Sequence, residues 1–331
     1  MITGKEALQI VDKYREQVQD QSRIESLDRE FPSYTQLLGG AAVQLFRADL
    51  NKTGAFKWRG AIVGATTLAN LGAQRLIVPS AGNHARGAVW AASELDIPVT
   101  AVVPTTAPAQ KSEQLYELWP NGRLTVKIIG DSFDDSFTWA ASQTNGHILH
   151  PFGEHVIPGQ GTIAADILRL YPEVKRIVLP IGGAGLAAAI VEELRVRGRT
   201  DIEVIAAEAE GSNSARKSIT SGRLQPADAP NKRYGGTAVG TIGQQAFEIL
   251  TRSNNFQILP VPEHHVNELI LSYVYDRRYV DQKMWPNIEP TSLVAVAALR
   301  QLIRQNSETN RETVVIATGH NAPLPNMTLA A

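Results

Sequence analysis

The chain has 331 residues, 43% of them hydrophobic and 20% charged, with a formal net charge of -1. Such a composition describes a folded globular protein with a sizeable core and room for two domains; it excludes a disordered chain and gives no general electrostatic attraction to nucleic acid. The chain contains no cysteine, which excludes disulfides, thiolate nucleophiles, iron–sulfur clusters and cysteine-based zinc sites and leaves covalent chemistry to Lys, Ser, Thr or a carboxylate.

Residues 1–17 mix charge with an amphipathic pattern and lack the apolar centre and small-residue cleavage site of a signal peptide, so a cytoplasmic protein is expected. Gly54 opens a turn before Lys57, and Ile62, Val63, Leu68 and Leu71 follow at helical spacing. Short apolar, β-rich runs at 76–78, 99–103, 125–129, 148–149, 177–179, 202–207 and 313–317 then alternate with helical patterns such as 88–95, 161–170 and 186–196. This alternation predicts an α/β protein with parallel sheets and crossover helices. The strands fall into an early cluster and a later one that begins near 176, which predicts two lobes, each a mostly parallel twisted sheet flanked by helices. The expected division is a large domain of 1–72 with 147–331 and a small domain of 73–146. The longest nearly apolar stretch, 177–191, is shorter than a membrane span and is broken by Pro180 and three glycines, so no membrane segment is expected.

Open α/β sheets bind ligands at the carboxyl ends of their strands, so chemistry is sought in the loops there. Lys57 stands at a helix start, where the positive end of the helix dipole favours an unprotonated, nucleophilic amine; a solvated first-turn lysine is the alternative. After strand 76–78, the segment Pro79-Ser80-Ala81-Gly82-Asn83-His84 offers small residues and backbone amides suited to a carboxylate, or equally a tight turn with an Asn cap. His84 is read as a supporting histidine in preference to an acid–base group. The loop Gly182-Gly183-Ala184-Gly185-Leu186 lets bare amides approach a phosphate. Gly183, Gly185 and Ala188, with Glu208 ending the next strand, also satisfy a dinucleotide-binding fingerprint. Thr318, in Ala317-Thr318-Gly319-His320-Asn321, places a hydroxyl at a strand's carboxyl end, where it could meet a pyridine nitrogen or simply make a turn.

In this order the segments resemble the tryptophan-synthase-like pyridoxal-phosphate enzymes (fold type II), and within them the serine/threonine dehydratase and serine racemase family. The resemblance covers nearly the whole chain and includes Pro151-Phe152 leading to Gly159-Gln160-Gly161-Thr162, and Glu289-Pro290 before an Ala/Val-rich helix. It implies pyridoxal 5'-phosphate as cofactor, with Lys57 as its Schiff-base anchor beside Phe56 and Asn83 as partner of the ring hydroxyl. Gly182, Gly183, Ala184, Gly185 and Leu186 would hold the phosphate and Thr318 the ring nitrogen. Ser80, Ala81, Gly82, Asn83 and His84 would surround the carboxylate of a small amino acid. A neutral hydroxyl does not hold the ring nitrogen protonated, which favours loss of a β-substituent over transamination. The implied reaction is dehydration of L-threonine or L-serine to a 2-oxo acid and ammonia, with Lys57 taking the Cα proton. Racemases of the family carry a serine at position 81, so Ala81 implies dehydration without racemisation.

The chain departs from the family pattern at Ala55, Trp58, Ala184 and Gly235, and its Thr318-Gly319-His320 looks like the threonine synthase ending. The family's divalent metal site matches at Glu208 but has Ser214 where an acid belongs, so no metal is expected. The chain ends soon after Thr318, so no regulatory domain is expected; relatives imply a homodimer or homotetramer. The rival functions are a threonine-synthase-like or β-replacement enzyme of the same fold, a catalytically degenerate binding protein, and a dinucleotide-dependent oxidoreductase.

Overall fold

The computed structural model describes residues 2–27, 43–120, 122–275, 287–305 and 312–320. They cluster into two compact units, one drawn from Met1–Asp20 and Asn51–Thr162, the other from Gln21–Leu50 and Ile163–Ala331. No described helix is long and apolar enough to cross a membrane.

The first unit is built on four parallel strands, β3 (Leu76–Pro79), β4 (Val99–Val103), β5 (Leu124–Ile128) and β6 (His147–Ile148), in the order β5-β4-β3-β6. Around it run helices α1 (Gly4–Tyr14), α2 (Lys57–Asn70), α3 (Asn83–Glu94), α4 (Ala109–Leu118), α5 (Phe133–Ala141) and the start of α6 (Ile157–Leu170). Strands β3 and β4 are buried along their whole length, which explains why they read as continuous apolar runs rather than as alternating ones. Trp58, where the family carries an aliphatic residue, is fully buried and meets Trp90 edge-on at 5.6 Å; Trp90 meets Tyr14 in the same way at 6.3 Å.

Helix α2 is held at unusually close quarters. A Cβ on Gly87 of α3 would lie 2.9 Å from the Trp58 nitrogen, and one on Gly159 of α6 only 2.2 Å from the Arg59 carbonyl oxygen. Glycine at these two positions therefore lets backbone rest on backbone. Arg59 itself is fully buried; it pairs with Asp20 at 3.1 Å and donates to the Thr162 hydroxyl at 3.2 Å. The sequence pattern begins this helix at 161, but α6 starts at Ile157 and carries Gly159-Gln160-Gly161 inside its first turns. Two glycines so close together mimic a loop; here at least one serves helix contact.

The second unit holds a six-stranded sheet of order β1-β2-β10-β7-β8-β9, comprising β1 (Ile24–Ser26), β2 (Gln44–Arg47), β7 (Arg176–Pro180), β8 (Glu203–Ala209), β9 (Phe256–Val261) and β10 (Thr313–Ala317). All pairs are parallel except β1 with β2. Its helices are the remainder of α6, α7 (Gly185–Val196), α8 (Ser214–Ser221), α9 (Gln244–Thr251), α10 (Glu263–Tyr275) and α11 (Pro290–Gln305). Residues 290–299 of α11 are buried without exception, so this helix forms the middle of the core rather than a surface layer. The sequence pattern does not predict β1, β2 or β9. The first two are very short, and β9 carries Pro260, which is tolerated because β9 is an edge strand.

Gly159→Ala drives a methyl group into the Arg59 carbonyl, so it is expected to cost about 2–3 kcal/mol and lower the melting temperature by roughly 3–5 °C. Thermal and urea denaturation of the variant against the parent check this.

Candidate active site

In the first unit Lys57 is the first residue of α2, as the sequence pattern predicts, and no side chain caps that helix. Its ammonium donates to the Pro151 carbonyl at 3.1 Å and lies 5.0 Å from the centre of the buried Phe56 ring. The turn before it is braced from three sides. Gly54 has φ +70°, the Asn51 side chain accepts from Thr53 and donates to the Ala55 carbonyl, and Arg86 donates to the Thr53 carbonyl at 3.0 Å. Ala55 is fully buried.

The loop between β3 and α3 carries Ser80, Ala81 and Gly82, all half-buried. Ser80 accepts from the Gly82 amide at 3.3 Å. The Asn cap that the sequence allows at this helix is not formed: Gly82 occupies the N-cap position, Asn83 is already helical, and no side chain caps α3. The helix thus starts without a side-chain cap, which suits it to an anionic group. His84 hydrogen-bonds the Leu149 carbonyl through Nε2 at 2.7 Å, while its buried Nδ1 has no partner. A carbonyl only accepts, so the proton sits on Nε2 and Nδ1 presents a bare lone pair. Burial, helped by the Lys57 charge, holds the His84 pKa down at about 3. His150 is held at about 4 for the same two reasons. Two neutral imidazoles thus share the neighbourhood of one lysine.

In the second unit the loop from Gly182 to Leu186 runs from β7 into α7. A Cβ on Gly182 would lie 2.1 Å from the Gly236 carbonyl oxygen, and the Gly183 carbonyl accepts from Gly243 at 3.1 Å. Gly235, at φ +56°, and Gly236, which donates to the Thr291 hydroxyl at 2.9 Å, shape the partner segment. Ala184 is the N-cap at φ +66° and offers no side-chain acceptor, so no side chain caps the first amides of α7, which suits this end to an anion. That backbone conformation costs a β-carbon about 1–2 kcal/mol. Thr318, just beyond β10, is buried; its hydroxyl lies 3.1 Å from the Ser292 hydroxyl, which also accepts from the Thr318 amide at 2.9 Å. Gly319 has no room for a side chain, because a Cβ would lie 2.6 Å from the Glu289 carboxylate. His320 pairs with Asp49 at 2.9 Å, and the buried Arg47 grips Asp49 with two bonds of 2.8 Å and Glu25 with one of 3.0 Å. Burial pushes the Asp49 carboxyl up, but the bonds from Arg47 and His320 outweigh it and hold it below the usual range. Asn321, named with this loop in the sequence, lies outside the described residues.

Glu208 ends β8 and turns its carboxylate onto the start of α8, accepting from Ala215 at 2.8 Å and Arg216 at 3.2 Å. Neither a metal nor a ribose is needed to account for those oxygens. Among the described residues no group of three or more His, Asp or Glu could hold a metal ion. Burial nonetheless pushes the Glu208 pKa up to about 7.

Sequence reasoning found the lysine and the loops but missed several supporting groups. His150 adjoins Pro151-Phe152 and could have been found from that motif. Ser292, one turn into an apolar helix, and the Arg47–Asp49–His320 chain gave no local signal.

With the geometry in place, comparison with known proteins identifies the class. The chain matches the pyridoxal-phosphate-dependent enzyme family over residues 29–319 and belongs to it. It is 32% identical to a biosynthetic L-threonine dehydratase of Lactococcus lactis subsp. lactis, over 85% of this chain and 67% of that one, and so spans about two thirds of that relative's length. It is 28% identical to an L-threo-3-hydroxyaspartate ammonia-lyase of a Pseudomonas species, over 95% and 97% of the two chains. Threonine deaminase isoform 2 from Solanum lycopersicum shares the fold with a TM-score of 0.78 and 25% identity, over 96% of this chain and 85% of that one. The two mostly parallel sheets flanked by helices, which the sequence pattern predicts, are those of fold type II, which the resemblance implies.

A raised carboxyl pKa gives a stabilising contribution that is present below the unfolded pKa and is lost as pH rises through the folded one. Ionised Glu208 therefore weakens the fold above pH 7 or so. Glu208→Gln, which keeps the acceptor oxygen but never ionises, is expected to melt several degrees higher than the parent at pH 8.5, with the gain fading towards pH 5. Melting temperatures across that range check it.

Proposed function

We propose that the protein is an ammonia-lyase that dehydrates L-threonine or L-serine to a 2-oxo acid and ammonia. The observation that carries this is the setting of Lys57: an amine at an uncapped helix start, flanked by two imidazoles that stay neutral and so neither quench nor replace it as a base. Bound pyridoxal phosphate supplies an aldehyde that captures amines and a ring that draws electrons from the amino acid's Cα.

The residues present suit that group. Lys57 would anchor it with Phe56 alongside, and Asn83 would serve its ring hydroxyl. The amides of Gly183, Ala184, Gly185 and Leu186, at the uncapped start of α7, would hold its phosphate, with Gly182 packed against Gly236. The neutral Thr318 hydroxyl, oriented by Ser292, would serve its ring nitrogen. Ser80, Ala81, Gly82, Asn83 and His84 frame the substrate carboxylate at the uncapped start of α3. His84 then acts by position: its lone pair at Nδ1 accepts from an ammonium or hydroxyl brought to the loop.

In this assignment the Lys57 amine takes the Cα proton, the Cβ–O bond breaks, and the oxygen leaves as water with the proton that Lys57 gives up, which returns the amine to its starting state. Hydrolysis of the enamine so formed releases ammonia and the 2-oxo acid, so one water is lost and one regained. Ala81 carries no group able to return a proton to the opposite face, so L-serine gives pyruvate without D-serine. The relatives named threonine dehydratase and threonine deaminase support this choice of substrate. The same reading places the enzyme in the cytoplasm as a homodimer or homotetramer.

The purified protein is expected to be yellow, to bleach with borohydride, and to carry the reduced label on Lys57 when its peptides are mapped. It forms keto acid from L-threonine and L-serine, and turns over O-phosphohomoserine and O-acetylserine more slowly. A label elsewhere, or faster turnover of either ester, refutes the assignment.

A further inference from the structure

One group of side chains near Lys57 lies outside the buried cluster beneath α5, and of its members only His150 has a place in the site as assigned. The His150 ring lies edge-on to Phe152 at 4.4 Å, to Phe137 at 5.2 Å and to Phe133 at 6.4 Å. Phe133 and Phe137 stack on each other at 6.2 Å. They stand four residues apart and so project from one face of α5. The start of that helix is fixed by a capping box in which Ser132 accepts from Asp135 at 3.1 Å and Asp135 accepts from Ser132 at 3.0 Å.

Core packing alone does not explain these rings. The buried cluster beneath α5 consists of Ile77, Val102 and Ala140, with Ile129, Trp139 and Ile148 packed on it, and includes none of them. Phe133 remains 37% exposed, and Phe137, His150 and Phe152 are each only half-buried. An apolar surface that lies open beside a reactive group is suited to a ligand. The neighbouring residue locates it: the Pro151 carbonyl, between His150 and Phe152, accepts from Lys57. The Phe152 amide donates to His150 Nδ1 at 3.4 Å, so the imidazole proton sits on Nε2 and the ring is neutral.

We propose that Phe133, Phe137, His150 and Phe152 form the subsite for the substrate's side chain, favouring β-hydroxy amino acids whose Cβ bears an alkyl or aryl group over those bearing none or a carboxylate. This rests on the proposed lyase activity. A methyl group gains contact with the rings, an aryl group gains more, and a second carboxylate meets four rings that carry no charge.

The test uses the full-length holoenzyme with L-threonine, L-serine, L-threo-3-phenylserine and L-threo-3-hydroxyaspartate. The expected kcat/KM for L-threonine exceeds that for L-serine roughly tenfold, as one buried methyl group allows. Phenylserine is turned over, and hydroxyaspartate is the poorest of the four. Phe133→Ala, at a partly exposed position that leaves the core intact, collapses the threonine-to-serine ratio about fivefold, mainly through KM; Phe133→Leu restores most of it. Equal kcat/KM for L-threonine and L-serine, a preference for hydroxyaspartate, or a ratio unchanged in Phe133→Ala would overturn the subsite.

Unreactive amino acids separate this outcome from failure of the lyase reading. If no keto acid forms from any substrate, the lyase reading fails, and the subsite is judged by binding, read as the change in visible absorbance. Tighter dissociation constants for L-2-aminobutyrate and L-phenylalanine than for L-alanine and L-aspartate, levelled by Phe133→Ala, uphold it; equal constants reject it.

Discussion

The site depends on how closely two helices approach the backbone of α2. Gly87 and Gly159 press from α3 and α6 onto Trp58 and Arg59, the two residues that follow Lys57. A side chain can swing between rotamers, but backbone resting on backbone has almost no slack, and interiors this dense transmit displacement rather than absorb it. The lysine's position is therefore set by its successors: Trp58 is locked edge-on to Trp90, and Arg59 is tied to Asp20 and Thr162. Breaking a buried pair of that kind leaves an uncompensated charge, which is why both members must be kept together.

Electrostatics then decides what the lysine's neighbours can be. Burial, helped by the Lys57 charge, keeps His84 and His150 unprotonated far below neutral pH, so each supplies a lone pair and a fixed N–H instead of a second charge. The second unit handles charge in the opposite way. Arg47, Asp49 and Glu25 are buried as ions, and the network they form with His320 braces the chain directly after Thr318. One corner excludes charge and the other confines it.

Much of this was legible in the sequence because it is local. Lys57 at a helix start, glycines between a strand and a helix, and a hydroxyl after the last strand are arrangements of adjacent residues, and the order of the four loops carried the family resemblance. What stayed hidden involves partners far apart in the chain. Gly182 needs Gly236, Thr318 needs Ser292, and His320 needs Asp49, which precedes it by 271 positions. The helical pattern is read from 161 and misses the turn that begins at Ile157, because pattern alone does not distinguish a glycine that breaks a helix from one that makes a contact. Trp58, a departure from the family on paper, proves to be a core residue with an aromatic partner.

Strand β10 comes last among the described strands yet lies inside its sheet, hydrogen-bonded to β2 on one side and β7 on the other. Until it arrives, β1 and β2 have no path to β7, β8 and β9, and the sheet exists only as two fragments. Closing it joins residues more than 250 positions apart, the kind of long-range pairing that slows folding and leaves strand edges exposed in the meantime. During synthesis, then, residues 44–47 must wait for 313–317 to leave the ribosome, and Thr318 reaches its place in the same step.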